Sequence, residues 1–125
     1  MQFDFDSAEP IYLQVASQIE DAIFTGAFPE NEQIPSTTEI SKQFHINPAT
    51  VLKGMNILVS EGLLEKRRGM GTFVTIDGQK KVVEKRRSKF YDDFILDLIN
   101  EADKLKLNQA DVLKLIQRGY QNDHN

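Results

Sequence analysis

The sequence of 125 residues contains no cysteine and no tryptophan. The absence of cysteine excludes disulfides, thiol nucleophiles and cysteine-ligated metals, and it is typical of proteins in a reducing compartment. No apolar run approaches the roughly 20 residues of a membrane span, and the N-terminus lacks the basic-then-apolar order of a signal peptide. We therefore expect a cytoplasmic protein without a membrane partner.

Side chains that commonly carry catalysis are also scarce. Histidine occurs twice, at His45 in an expected turn and at His124 in the tail. The carboxylates are numerous but form no cleft motif, and no glycine-rich phosphate loop precedes a helix. The Gly-Met-Gly sequence at residues 69–71 fits a hairpin rather than a nucleotide site. The sequence predicts no enzyme, no cofactor and no metal site.

Positive charge is sparse in the first part of the chain. Residues 1–76 contain five Lys or Arg against ten Asp or Glu, and the whole chain has a net charge of −4. This balance argues against unspecific binding to nucleic acid. Most of the acids lie outside the segments described next, and salt screens their charge over roughly 8 Å. Binding to DNA would therefore have to rest on local attraction.

Two closely spaced helix starts organise the chain. Ser36 and Glu39 form a capping box that begins a short helix, and this helix must stop before Pro48. Asn47 is a good N-cap for a second helix with Pro48 at its first position, and Gly62 ends that helix. Two helices joined by so short a turn cross steeply, as in a helix-turn-helix.

The second helix is expected to be amphipathic. Val51, Met55 and Leu58 fall on one stripe, which packs against the first helix. The opposite stripe combines small, amide and cationic side chains without an acid: Ala49, Lys53, Asn56 and Ser60. Such a face suits a helix in the major groove of DNA, where acidic groups would be repelled by phosphates.

A basic hairpin follows the second helix. Two short strands, at residues 63–66 and 72–75, flank a turn in which Gly69 can adopt positive φ. Lys66, Arg67 and Arg68 at this turn can neutralise phosphates or enter the minor groove, and the alternative is an ordinary solvated turn. With a preceding helix that completes the core, these elements predict a mostly α-helical winged helix-turn-helix whose wing is a small β-hairpin.

We place this DNA-binding domain at residues 1–76 and a linker with a helical dimerisation element at residues 77–125. The basic run at residues 80–89 either touches flanking phosphates or forms a solvated linker helix. Asn108 begins the last helix, and Gly119 is expected to end it. One short helical hairpin cannot bury its apolar faces, so a second copy, or alternatively the winged domain of the same chain, must cover them. The predicted dimerisation residues are Phe90, Phe94, Ile95, Leu98, Ile99, Leu105, Leu113 and Ile116.

An ordered series of short motifs resembles the N-terminal domain of GntR-family bacterial transcription regulators. The motifs are PIYLQV, IFTGAF, IPSTTEIS, NPATV and EGLLEKRRGMGTFV, within residues 10–74. The short C-terminal part is most similar to the YtrA-type branch, in which it serves dimerisation. The sequence departs from the family pattern at two positions: the family usually has an arginine where Thr38 stands and often another where Leu52 stands, and the resemblance implies that both arginines would touch DNA. The resemblance implies DNA contacts from Ser36, Thr37, Asn47, Ala49, Thr50, Lys53, Arg68 and Gly69.

These observations predict a homodimeric, sequence-specific DNA-binding repressor with a pseudo-palindromic operator. The alternative is a winged-helix protein-interaction module without DNA binding, for which acidic charge is no handicap. A small-molecule effector between the C-terminal helices of the dimer is a further possibility but is not indicated, because two short helices per chain leave little room for a pocket of roughly 300 Å³ or more. The predicted DNA-binding set is Ser36, Thr37, Thr38, Asn47, Pro48, Ala49, Thr50, Lys53, Asn56, Arg67, Arg68 and Gly69.

Overall fold

A computed structural model describes residues 1–123 and divides the chain into two units, the head unit (Met1–Lys85) and the C-terminal unit, which begins at Arg86. The head unit contains helices α1 (Ile11–Thr25), α2 (Thr37–Phe44) and α3 (Pro48–Ser60), and strands β1 (Leu64–Arg67) and β2 (Gly71–Val74). Helix α4 (Gly78–Phe90) begins in the head unit. A π-helical turn (Tyr91–Ile95) and helices α5 (Leu96–Lys104) and α6 (Gln109–Asp123) follow. The predicted mostly helical winged fold is confirmed.

The head unit has one hydrophobic core, to which all three of its complete helices and the hairpin contribute. The largest fully buried side chains of these elements are Val15, Ile19, Ile23, Ile40, Val51, Met55, Leu58, Leu64 and Val74. Helices α1 and α3 approach closely at Gly54, where a Cβ atom would lie 2.6 Å from the Tyr12 carbonyl oxygen and 2.8 Å from the Val15 side chain. The inward stripe predicted for the second helix is therefore confirmed.

Capping boxes begin both α2 and α6. The Ser36 hydroxyl accepts a hydrogen bond from the Glu39 amide at 3.1 Å, and the Glu39 carboxylate accepts one from the Ser36 amide at 3.2 Å. Asn108 and Asp111 make the same reciprocal pair at 2.9 and 3.0 Å. Each box satisfies amides that the first helical turn leaves without an intrahelical partner.

The wing is an antiparallel pair in which Leu64 lies opposite Val74 and Arg67 lies opposite Gly71. Both strands are shifted by one residue toward the turn relative to the predicted ranges, because Arg67 and Gly71 pair across it. The loop before α2 supports the hairpin: the Gln33 side chain donates a hydrogen bond to the Met70 carbonyl oxygen at 2.8 Å. The tip of the wing is thus held in place from one side.

The head unit extends beyond the boundary expected at residue 76, because the first turns of α4 pack against it. Val82 is fully buried. The Lys85 ammonium pairs with the carboxylates of Glu20 at 2.5 Å and Glu61 at 2.7 Å. Burial lowers the pKa of Lys85, but the hydrogen bonds and charges of the two glutamates outweigh burial and raise that pKa above its ordinary value of 10.5.

Helix α6 continues through Gly119 to Asp123, so the expectation that Gly119 ends the helix is wrong. A glycine ends a helix when its backbone turns to positive φ, and Gly119 is not among the positive-φ glycines of the described residues. A Cβ atom added at Gly119 would meet nothing within 4 Å outside the neighbouring backbone of its own helix. The predicted tail position His124 lies outside the described residues.

The C-terminal unit leaves its apolar side chains uncovered. Among its described residues, Ala102 is the one buried hydrophobic side chain, Ile95 is half-buried, and the other predicted dimerisation residues are exposed. A groove of about 500 Å³ runs between α5 and α6 and is lined mostly by apolar side chains, among them the predicted dimerisation residues Ile95, Leu98, Ile99, Leu113 and Ile116. The expectation of too little room for a ligand is therefore wrong.

No helix within residues 1–123 is long and apolar enough to cross a membrane.

Candidate DNA interface

The outward face of α3 is exposed along its whole length. Ala49, Leu52, Lys53 and Asn56 are all exposed, and Thr50 at the edge of the face is half-buried. Helix α3 contains no acidic residue. The structure therefore brings together the predicted base-reading side chains on one surface, and it adds Leu52, which the sequence analysis did not assign to DNA.

The beginning of α3 is fixed by its own side chains. The Asn47 carboxamide oxygen accepts a hydrogen bond from the Ala49 amide at 2.8 Å, and Pro48 occupies the first helical position. The turn before it is closed by His45, with φ of 56°, and by a 2.6 Å hydrogen bond from the Ser41 hydroxyl to the Ile46 carbonyl. The amide NH₂ group of Asn47 remains the part of this side chain that can donate to DNA.

At the start of α2, the predicted contacts divide between structural and exposed side chains. The Ser36 hydroxyl caps the helix, and the half-buried Thr37 hydroxyl lies 3.5 Å from the Met55 sulfur. Thr38 is exposed. Thr38 is therefore the most accessible side chain of this group, because Ser36 and Thr37 are half-buried.

Lys53 is positioned by an aromatic ring from another helix. Its ammonium group lies 4.0 Å from the centroid of the Tyr12 ring in α1. A cation over an aromatic face is attracted by the ring quadrupole. Tyr12 therefore adjoins the candidate interface, and sequence reasoning missed it, since nothing in the spacing of the chain connects it with Lys53.

Asn56 has a partner on the wing. The Lys66 ammonium group on β1 donates a 2.8 Å hydrogen bond to the Asn56 carboxamide oxygen. This contact adds a positive charge to the outward face of α3 and directs the NH₂ group of Asn56 away from Lys66. Lys66 was expected among the basic side chains of the hairpin, but its contact with Asn56 could not be expected, because it depends on the packing of the hairpin against α3.

The two wing arginines differ. The Arg67 guanidinium group lies 2.7 Å from the Glu65 carboxylate, 2.6 Å from the Asn31 carboxamide oxygen and 4.0 Å from the centre of the Phe73 ring. Arg68 is exposed at the tip, next to Gly69 with φ of 75°. The structure thus presents Arg68 and Gly69 outward, whereas it holds Arg67 against the hairpin.

Three acids from the elements that form this surface have partners within the head unit. Glu39 accepts the Ser36 amide, Glu61 pairs with Lys85, and Glu65 pairs with Arg67. Paired carboxylates contribute less repulsion toward an approaching phosphate than isolated ones do. The negative net charge of the head unit therefore repels a phosphate at the outward face of α3 less strongly than the total charge suggests.

Comparisons with known proteins identify the family of this chain. The family described as bacterial regulatory proteins, gntR family, matches residues 11–74. The HTH-type transcriptional repressor YtrA of Bacillus subtilis is 32% identical over 84 residues, which cover 67% of this chain and 65% of YtrA.

Two solved structures are similar as well. A transcriptional regulator from Oenococcus oeni superimposes with a TM-score of 0.79 at 24% identity, over 94% of this chain and 97% of that one. The AraR DNA-binding domain in complex with operator ORX1 superimposes with a TM-score of 0.55 at 34% identity, over 59% of this chain and 93% of that one. The chain therefore belongs to the GntR family of bacterial regulatory proteins and is a DNA-binding transcriptional regulator.

Proposed function

We propose that this regulator is a homodimeric repressor that acts in the cytoplasm by occupying a pseudo-palindromic operator. The observation that carries the proposal is the pairing of an exposed reading face on α3 with uncovered apolar side chains on α5 and α6. Leu98, Ile99 and Leu105 are 39%, 45% and 70% exposed. Apolar surface of this extent on a short helical hairpin marks a site of association.

A second copy of the chain is the partner that fits best. Closed dimers related by a two-fold axis are the commonest soluble oligomers, and the same patch on both chains then covers itself. Two heads related in this way read two half-sites, one duplex turn or a multiple of it apart. The operator would accordingly be an inverted repeat.

Within each half-site, we assign base readout to Asn47, Ala49, Thr50, Lys53 and Asn56. The start of α2 and the wing tip would fix the protein on the phosphate backbone. We assign the wing contact to Arg68 rather than Arg67, because Glu65 and Asn31 already hold the Arg67 guanidinium group. Repression follows if the bound dimer blocks access to a promoter, and the similarity to the repressor YtrA supports this sign of regulation.

Selection of bound sequences from a random duplex pool at low salt tests the proposal. We expect an enriched inverted repeat, bound by two chains when the winning duplex is titrated with purified protein. Enrichment of a single half-site bound by one chain would contradict the dimer. A folded, dimeric protein that enriches no sequence would favour the protein-interaction module instead.

The wing contact has its own test. Arg68→Ala should weaken operator binding by about 1–3 kcal/mol, because a phosphate contact is lost. Arg118→Ala, which removes an exposed arginine from α6, is the matched control and should leave affinity unchanged. Equal affinities of wild type and Arg68→Ala, measured by fluorescence anisotropy, would remove the wing from the interface.

The groove between α5 and α6 favours a second candidate function, regulation by an apolar effector. Its volume of about 500 Å³ is within the range of small-molecule sites. The same side chains line the proposed dimer face, so an effector would compete with the partner chain. A ligand that converts the dimer to monomers and releases the operator would support this addition.

A further inference from the structure

A large apolar side chain lies on the face of α3 that we assign to base readout. Leu52 is 39% exposed, whereas Leu58 of the same helix is 1% exposed. Leu52 follows Ala49 by three residues and precedes Asn56 by four, so the three side chains are neighbours on one helical face. Ala49 and Leu52 together form a short apolar strip within an otherwise polar surface.

The polar neighbours of this strip have partners from other elements. Lys53 lies over the Tyr12 ring of α1, and Asn56 accepts a hydrogen bond from Lys66 of β1. These contacts hold the charged and amide groups in defined positions. The apolar strip has neither a donor nor an acceptor, so whatever it reads must be recognised through apolar contact.

In the major groove, the edges of the base pairs present hydrogen-bond donors and acceptors, and one apolar group, the C5-methyl of thymine. A leucine placed against a G·C edge would cover polar groups without satisfying them. Against a thymine methyl, it removes apolar surface from water on both sides. The chemistry of Leu52 therefore matches thymine rather than guanine or cytosine.

We propose that Leu52, supported by Ala49, determines specificity by contacting the methyl group of a thymine in each operator half-site. The inference rests on the operator binding proposed above and deepens it by naming the base that this part of α3 selects. Because burying one methyl-sized group contributes about a four-fold change in affinity, the selected position should be visible in a titration.

The test replaces each thymine of the selected operator, one at a time, by deoxyuridine. This change removes the C5-methyl group and leaves base pairing intact. With the full-length wild-type protein, we expect about a four-fold rise in Kd at one thymine of each half-site. Leu52→Ala should bind the thymine and uracil duplexes equally at that position, because the side chain that contacts the methyl is gone.

Three controls make the result specific. Leu52→Met keeps an apolar side chain of similar reach and should retain sensitivity to the methyl group. Leu13→Ala removes a leucine from α1 that is also 39% exposed but lies off the face of α3, and it should behave as wild type. Circular dichroism and thermal midpoints establish that each variant is folded.

Two outcomes would overturn the inference alone: wild type bound to a selected operator with no uracil-sensitive thymine, or Leu52→Ala that keeps the wild-type sensitivity. A protein that selects no duplex at all overturns the proposed operator binding and this inference with it. The selection step therefore separates failure of the general function from failure of the specific contact.

Discussion

The head unit and the C-terminal unit use the same helix signals but differ in what covers their apolar faces. In the head unit, Leu58 is 1% exposed, whereas Leu98 in the C-terminal unit is 39% exposed. Both units contain a helix that begins with a capping box. Local signals such as a capping box are therefore enough to begin a helix. Burial of its apolar face requires, in addition, another element or chain with a complementary apolar surface.

This difference has a thermodynamic consequence. The head unit covers its own core, so its free energy of unfolding belongs to the single chain. If a second copy covers the C-terminal unit, the stability of that unit depends on the concentration of the chain, because association stabilises only the folded state. Substitutions in the two units should therefore differ in whether dilution changes their effect.

The largest effect on the free energy of unfolding is expected when a leucine is replaced by alanine, and the same replacement can be compared in the two units. Leu58→Ala leaves a cavity in the head core and should lower the free energy of unfolding by about 2–5 kcal/mol at every protein concentration. Leu98→Ala should cost little in a dilute, monomeric sample and more as the dimer forms. Urea unfolding over a range of protein concentrations measures both. A concentration-independent loss for Leu98→Ala would show that this leucine is not at a dimer interface.

Replacing a glycine by alanine should change stability in opposite directions in the two units. At Gly54, the new Cβ would meet the Tyr12 carbonyl oxygen at 2.6 Å, so Gly54→Ala should destabilise the head unit by about 1–3 kcal/mol. At Gly119, the new Cβ would meet nothing within 4 Å outside the neighbouring backbone of its own helix, so Gly119→Ala should stabilise α6 by about 0.5–1 kcal/mol.

Thermal midpoints of the two glycine variants decide this prediction. Retention of the wild-type midpoint by Gly54→Ala would mean that α1 and α3 can separate without loss. Destabilisation by Gly119→Ala would mean that α6 is not helical at this position. Either result would contradict the inferred difference between close packing at Gly54 in the head unit and open space around Gly119 in α6.

These two glycines also indicate how far the sequence could predict the structure. The capping boxes at Ser36 and Asn108 were predictable, because their partners lie three residues away. The continuation of α6 through Gly119 was not, because a glycine is compatible both with a helix end and with a helix interior. The π-helical turn at Tyr91–Ile95 likewise has no local signal that distinguishes it from regular helix.

The candidate site likewise has features that the sequence could predict and features that it could not. Its outward stripe on α3 followed from helical periodicity, which places Ala49, Lys53 and Asn56 together. The contacts of Lys53 with Tyr12 and of Asn56 with Lys66 depend on how α1 and the wing pack against α3. Arg67 and Arg68 are adjacent and chemically identical, and their different orientations depend on strand pairing. Contacts between residues that are far apart in the sequence cannot be predicted from motifs that span only a few residues.

Removing the two helix caps should have a moderate and comparable local effect. Ser36→Ala and Asn108→Ala each leave a helix amide without its side-chain acceptor, which costs about 1 kcal/mol. The loss at Ser36 should appear in the unfolding of the head unit at any concentration. The loss at Asn108 should appear as weaker dimerisation, measured by analytical ultracentrifugation. Unchanged dimerisation of Asn108→Ala would show that the start of α6 does not contribute to association.

The smallest effect concerns Lys85, which joins α4 to Glu20 and Glu61 in the head unit. Its pKa is raised in the folded protein, so its contribution to stability is fully present below the ordinary value of 10.5 and is lost as the pH rises through the folded pKa. Ion pairs near a surface contribute up to about 1 kcal/mol, which bounds the expected loss. The head unit should therefore lose stability in the alkaline range.

Lys85→Arg is the matched control, because a guanidinium group stays protonated throughout this range in both the folded and the unfolded chain. The free energies of unfolding of wild type and Lys85→Arg should run parallel below the ordinary lysine pKa of 10.5 and diverge above it, with wild type the less stable of the two. Wild type and Lys85→Arg share every other side chain, so the difference between their curves isolates this site. Curves that stay parallel at high pH would mean that the two glutamates do not hold the proton on Lys85, and that the attachment of α4 to the head unit rests on buried Val82 instead.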